Sequence, residues 1–312
     1  PSIQHNIARA AHLCKADLVT TMVVEFTELQ GTMGRIYATE DGEVPAVAQA
    51  IEEHYLPRQS GGALPQTTAG MVLSLADKLD TLAGLFAIDI NVTGSQDPFG
   101  LRRAVIGILD IVQKHSLHLP LKEVLRDALL LYVEQKGLVF DYDDVLSRVS
   151  DFFRGRLRTR MQEQGIRYDV ADAVIAIEDD DYLRLMQKAA AVQALTEQDT
   201  DNELITGFVR IESMAEHAES TAVSVDCLQA EDQDMLASLS RAETIREELN
   251  KDHYEEALAL FRDWMPIIHE YLDRTMILVD DEALKTSRLG MLARVNALIH
   301  EILIPHRIVR EA

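Results

Sequence analysis

Between Ile166 and Leu289 the chain carries one glycine, Gly207, and one proline, Pro266. These two residue types interrupt regular backbone more strongly than any others, glycine through conformational freedom and proline through its fixed φ and missing N–H. A stretch nearly free of both, and rich in Ala, Leu, Glu, Gln and Arg, predicts long helices. Strand signals are absent. β-Branched residues seldom alternate with polar ones, and Asp41-Gly42 lies between helix-like segments rather than between two strand-like runs. Six of the eight prolines fall in the first 120 residues, which read as shorter helices joined by loops. The fold class is therefore all-α in two parts, residues 1–150 and 151–312.

Hydrophobic spacing gives the local detail. Leu18, Met22, Phe26 and Leu29 recur at helical intervals, with Val19 and Val23 widening the apolar face. This predicts one helix packed on Met71–Phe86, with Phe26 enclosed, so that Phe26→Ala costs roughly 3–5 kcal/mol. Ala46–Tyr55 predicts a helix stopped by Pro57, and Leu101–Lys114 another. Asn91–Gly100 reads as a turn-rich loop.

A composition of 47% hydrophobic and 26% charged residues over 312 positions excludes a wholly disordered chain. The longest apolar run, Leu82–Ile88, is far too short to cross a bilayer. Cys14 and Cys227 form no CxxC pair and no zinc spacing, which fits a reduced cytosolic compartment. Residue 1 is Pro, no signal segment opens the chain, and the sequence reads as a piece of something longer.

The net charge of −22 argues against RNA or DNA coating the whole surface. Its distribution is uneven: Asp169–Glu282 holds 29 acidic and 8 basic residues, so nearly all the excess lies there. Arg148–Arg167, by contrast, holds six arginines against two acids. Within it Arg154, Arg156, Arg158 and Arg160 occupy every second position. On a helix Arg154 pairs with Arg158 and Arg156 with Arg160, giving a broad basic surface for phosphate or a face that pairs with the acidic half. Arg102 and Arg103 follow the turn-rich loop, where backbone amides would also be free for RNA. Lys285 and Arg288 supply a local basic edge in the acidic half.

Other motifs are weaker. Asp77 and Asp80 share a helix face, and either bind a cation or act as acid and base, or form a solvated or locally paired edge. Asp17 is either a ligand or the polar rim of its helix. Gly31-Thr32-Met33-Gly34 and Ser60-Gly61-Gly62 match no phosphate-binding fingerprint. The histidines show no HxxxH or HxH spacing, and no nucleophile elbow is present. No catalytic residue and no metal site is assigned.

Several segments, taken together and in order, resemble one family. They are Lys15–Thr20, Glu25–Gly31 with Met33-Gly34, Glu53-His54-Tyr55, Ala76–Leu82 and Thr93–Arg103, followed by Tyr168–Val174, Asp280–Leu284 and Arg288-Leu289. The family is the beta subunit of the bacterial heterotetrameric glycyl-tRNA synthetase, and the match corresponds to its C-terminal part. The resemblance implies an HD-like helical domain followed by a helical anticodon-binding domain of the arginyl-tRNA synthetase kind. It implies tRNA(Gly) and the alpha subunit as partners, with ATP and Mg used by that subunit, no cofactor in this fragment, and no membrane association. Ala16-Asp17 stands where an active HD domain has His-Asp, and Asp77 resembles its later Asp. These positions therefore look like relics, since Ala supplies no metal ligand. Asp89 stands where the family has glycine. Two other functions compete: an HD-type metal-dependent phosphohydrolase, and an acidic helical module that binds protein.

Overall fold

The computed structural model describes residues 2–90, 97–198 and 203–309. Among the described residues there is no strand, only an isolated bridge between Pro120 and Asp181, and the fold is all-α. The chain forms two compact units, Pro1–Leu157 with Asp180–Leu183, and Arg158–Asp179 with Arg184–Ala312.

The first unit contains α1 (Ile3–Leu13), α2 (Thr21–Glu25), α3 (Thr32–Glu40), α4 (Pro45–Glu53), α5 (Thr68–Ala87), α6 (Leu101–Lys114), α7 (Leu121–Lys136) and the larger part of α8 (Tyr142–Glu163). Helix α5 is the hub, touching α1, α4, α6 and α7. Its Leu79, Leu82, Ala83 and Phe86 are buried with Val105, Ile108 and Ile111 of α6. On α8, Val145, Val149, Phe153 and Leu157 form a buried stripe at four-residue spacing, and Phe153 stacks on Tyr182 at 5.5 Å. Local chemistry sets the ends. Pro45 opens α4 at its first turn, Thr67 caps α5 by accepting from Gly70 N at 3.0 Å, and Gly137 closes α7 in the left-handed conformation.

The single helix expected over Leu18–Leu29 does not form. A 3-10 turn at Ala16–Val19, the short α2, and a second 3-10 turn at Thr27–Leu29 take its place. Extended backbone at Thr20 resets the register, because its hydroxyl both donates to Asp17 O at 2.7 Å and caps α2. Each reset rotates the apolar stripe off one face. Val23 is buried, but Phe26 is 51% exposed and Met22 42%. The expected enclosure of Phe26 is thus corrected.

The second unit contains the end of α8, α9 (Tyr168–Ile175), most of α10 (Tyr182–Gln198), α11 (Glu203–Ala215), α12 (Gln233–Ser238), α13 (Arg241–Leu249), α14 (Tyr254–Arg274) and α15 (Glu282–Ile299). Helix α11 packs on α14 and α15, and α13 packs on both of the latter. Phe208 meets Phe261 edge-on at 5.2 Å, and buried Trp264 donates to Ser238 Oγ at 2.8 Å. Long helices do occupy the breaker-poor stretch, and α14 runs through Pro266. Short α12 and α13 interrupt the pattern. The turn after α13 is made by Asp252 at φ +59° rather than by glycine. No helix among the described residues is long and apolar enough to cross a membrane.

Candidate functional site

Asp17 lies in the 3-10 turn that follows Lys15, whose backbone is left-handed at φ +71°. The carboxylate is 3% exposed, and its Oδ2 accepts from Gly31 N at 2.6 Å and Gly34 N at 3.2 Å. The glycines explain this approach: a Cβ on residue 34 would sit 2.8 Å from Ile51 and 3.2 Å from the Asp17 carboxyl. The Gly31–Gly34 segment is therefore an anion cradle, and the anion is the chain's own carboxylate. Asp17 Oδ1 is buried and makes no hydrogen bond to a described residue.

Around it, Asp77 pairs with Lys15. Burial works against the Lys15 ammonium, but the bonded Asp77 carboxylate outweighs it and raises the pKa above the ordinary value. His54 is fully buried, with Nδ1 2.5 Å from Ile51 O, so the proton belongs on Nδ1 and Nε2 is an acceptor. Burial holds its pKa below the usual histidine range, and Nε2, like Tyr55 Oη, has no hydrogen-bond partner among the described residues. This donor set does not fit a catalytic metal. Ala16 has no ligand atom, Asp17 is engaged by two backbone amides, Asp77 faces an ammonium, and no group of three metal-ligating side chains occurs among the described residues.

The arginines divide. Arg154 and Arg158 lie one residue after members of the α8 buried stripe, which Met161 continues, and Arg156 and Arg160 one residue before Leu157 and Met161. At about 100° per residue, these are two rows on opposite flanks, not the one broad surface expected. The Arg156 guanidinium lies 5.9 Å from the Phe152 ring centroid. Arg158 Nε is 2.7 Å from Asp172, and Arg160 Nη1 is 3.2 Å from Glu163. Internal pairing therefore occupies two of the four. Lys285 pairs with Glu282 at 2.7 Å.

Arg288 requires a correction. It is 2% exposed, bonds both Asp232 oxygens at 2.9 and 3.0 Å, reaches Glu231 at 2.8 Å, and donates to Met276 O at 2.7 Å. Tyr271 Oη and Gln229 N complete the shell of Asp232, at 2.9 Å each. A buried carboxylate needs such a partner, so Arg288 is a structural counter-ion and not an RNA contact.

At α6, Leu101 N and Arg102 N donate to the Asp97 carboxylate at 2.7 and 3.1 Å. The amides expected to be free for RNA are therefore capped. Residues 91–96 of that loop lie outside the described residues. Exposed Arg103 folds back over Gly100, where a Cβ would meet its Nη2 at 3.0 Å. This places Arg103 on a cavity of about 300 Å³ shared with Gln30, Tyr55, Arg58, Lys78 and Phe99. Arg58 donates to Gln30 O at 2.6 Å and lies 5.4 Å from the Tyr55 ring centroid. Lys78 is buried and donates to Leu56 O at 2.9 Å and Ser74 Oγ at 2.7 Å, and burial brings its pKa down to about 8. Neither Arg58 nor Lys78 stood out in the sequence. Each is a lone basic residue whose neighbours across the cavity are distant in the chain.

The first unit thus carries a disarmed acidic cluster beside a cationic cavity, and the second an internally neutralised core. Residues 2–176 match the family model described as glycyl-tRNA synthetase beta subunit, and the chain belongs to that family. Its relatives named glycine–tRNA ligase beta subunit include those of Desulforamulus reducens, 40% identical over 95% of this chain, and Clostridioides difficile, 41% over 94%. That of Geobacter sp. is 37% identical over 96%. The chain spans about 43% of the length of these relatives. The family resemblance expected from the motifs is borne out.

Proposed function

We propose that this chain is the tRNA-gripping part of a glycine–tRNA ligase beta subunit, working in the cytoplasm and presenting tRNA(Gly) to an alpha subunit that uses ATP, Mg and glycine. The observation that carries this reading is the identity of about 40% to glycine–tRNA ligase beta subunits along nearly the whole chain. The geometry supports a binding role over a chemical one, because Asp17 Oδ2 is held by two backbone amides and Asp77 is paired with Lys15. In this reading the first unit is the HD-like domain and the second the anticodon-binding domain. Arg103, Arg154 and Arg156 supply charge to phosphates with Arg102 beside them, while Arg158, Arg160 and Lys285 join only by exchanging carboxylate partners.

Titration of the chain with tRNA(Gly) and a non-cognate tRNA across a salt series tests this. The expected result is tighter binding of tRNA(Gly), with affinity falling log-linearly with salt. Arg154→Gln with Arg156→Gln lowers that slope by about two. No binding of either tRNA at low salt overturns the proposal and favours the protein-interaction module.

A further inference from the structure

The cavity beside α6 has a charge opposite to that of the chain around it. Three cationic side chains line it, Arg58, Lys78 and Arg103, against one carboxylate, Asp77, which Lys15 already neutralises. The whole chain carries −22, so a local excess of positive charge inside a concave site is a directed feature rather than background. Among the described residues neither Arg58 nor Arg103 makes an ion pair. One N–H of Arg58 is anchored on Gln30 O and its plane is supported by Tyr55, which presents the rest of the guanidinium ready-oriented. The cavity also has an apolar wall: Phe99 is 54% exposed there. A bare inorganic anion has no use for that ring, whereas a nucleobase stacks on it.

We propose that this cavity is a nucleotide-phosphate site, in which Arg58 and Arg103 clamp the phosphate and Phe99 stacks the attached base. The α6 amides take no part, since Asp97 already caps them. The phosphate strengthens the charged form of Lys78, whose ammonium burial otherwise holds near 8. The inference deepens the tRNA reading by naming one nucleotide pocket on the first unit. The same chemistry also occurs in a free mononucleotide, so both sources enter the test.

Binding of a 5′-fluorescein RNA octamer is followed by anisotropy, and binding of AMP and inorganic phosphate by calorimetry, all on the full 312-residue chain. The variants are Arg58→Gln, Arg103→Gln, the double variant, Phe99→Ala, and Arg126→Gln on the exposed side of α7 as a charge control. The double variant is expected to lose at least about tenfold in octamer affinity, and each single change to lower the salt slope by about one. Phe99→Ala weakens AMP and the octamer but not phosphate. Arg126→Gln changes nothing. Octamer binding without AMP binding assigns the site to an RNA chain, and binding of both to any nucleotide. Wild-type affinity in the double variant, an equal loss in Arg126→Gln, or no binding of octamer or AMP by the wild type overturns the proposal. Both arginines are exposed, so folding is retained; Arg58→Lys with Arg103→Lys, keeping charge without the fork, should recover part of the affinity. If the Gln double variant still grips tRNA(Gly), the pocket falls and the tRNA reading stands. If the chain binds AMP here but no tRNA, the pocket stands and the tRNA reading falls.

Discussion

Two carboxylates lie at similar depth, Asp17 in the first unit at 3% exposure and Asp232 in the second at 0%, and they are stabilised by opposite means. Asp232 has a guanidinium across both oxygens, a phenol and a backbone amide. Asp17 has two backbone amides on one oxygen and, among the described residues, no cation bonded to it. In the acidic block around it, five of the eight basic residues, Arg184, Lys188, Arg210, Lys251 and Arg274, are each in an ion pair, mostly at the surface. Where acids are in excess, cations are drawn into internal pairs. The first unit is also net acidic and likewise pairs Arg9, Arg35 and Arg148 with carboxylates, but there two backbone amides hold a buried acid, and Arg58 and Arg103 make no ion pair among the described residues.

The largest effect that could break this contrast is at Arg288. Arg288→Ala leaves Asp232 buried without its counter-ion, and urea unfolding of the second unit should show a loss of about 3–5 kcal/mol. A loss confined to RNA affinity, with stability unchanged, would reverse the assignment of Arg288. Asp17→Asn keeps an acceptor for Gly31 and Gly34 and removes only charge, so the first unit should lose about 1–2 kcal/mol. A loss equal to that of Arg288→Ala would mean that Asp17 has a cationic partner of comparable strength.

Alkali sharpens the contrast through tyrosine. Tyr182 in the first unit and Tyr271 in the second are nearly buried, and burial raises both hydroxyls above the usual range. The protonated form is favoured by the fold, so this contribution is complete below pH of about 10 and is lost as pH rises further, by at most about 1.4 kcal/mol per pH unit for each group. Absorbance at 295 nm should show both ionising only as the units unfold. Tyr182→Phe lessens the alkaline sensitivity of the first unit at little cost in neutral stability, the rest staying with Tyr55 and Tyr132, whose hydroxyls burial also raises. Tyr271→Phe also loses the bond to Asp232, worth about 1 kcal/mol at pH 7. The smallest effect is at Phe26, where Ala should cost below about 1 kcal/mol because half the ring already meets solvent.

What was legible in the sequence follows from the range of the interactions. Leu101–Lys114 is a helix with the bounds its pattern implied, because its apolar period and flanking Gly100 are local signals. The Leu18–Leu29 stripe misled because Thr20 competes with the helix through its own hydroxyl, a choice that hydrophobic spacing does not register. Arg288 looked like a basic edge because Asp232 stands 56 residues away. The cavity is harder still: its two arginines come from separate segments, and only the packing of α4, α5 and α6 around them creates a shared surface. Gly31 and Gly34 were visible as glycines, but which anion they would hold was not. Asp89 adopts φ +61° and meets Arg148 at 2.9 Å, so a left-handed position is held here by a residue other than glycine.

The Gly31–Gly34 cradle has one more consequence, which belongs to host–guest chemistry. The chain has built a receptor for a carboxylate and tethered the guest to it fourteen residues away, at an effective concentration no free anion matches. Cutting the tether should expose the receptor. In Asp17→Gly the two amides still converge on a space the size of a formate ion, so formate should restore thermal stability in a saturable way. Chloride at the same ionic strength should do so far less, because it is larger than a carboxylate oxygen and does not fit at the 2.6 Å from Gly31 N that Asp17 Oδ2 occupies.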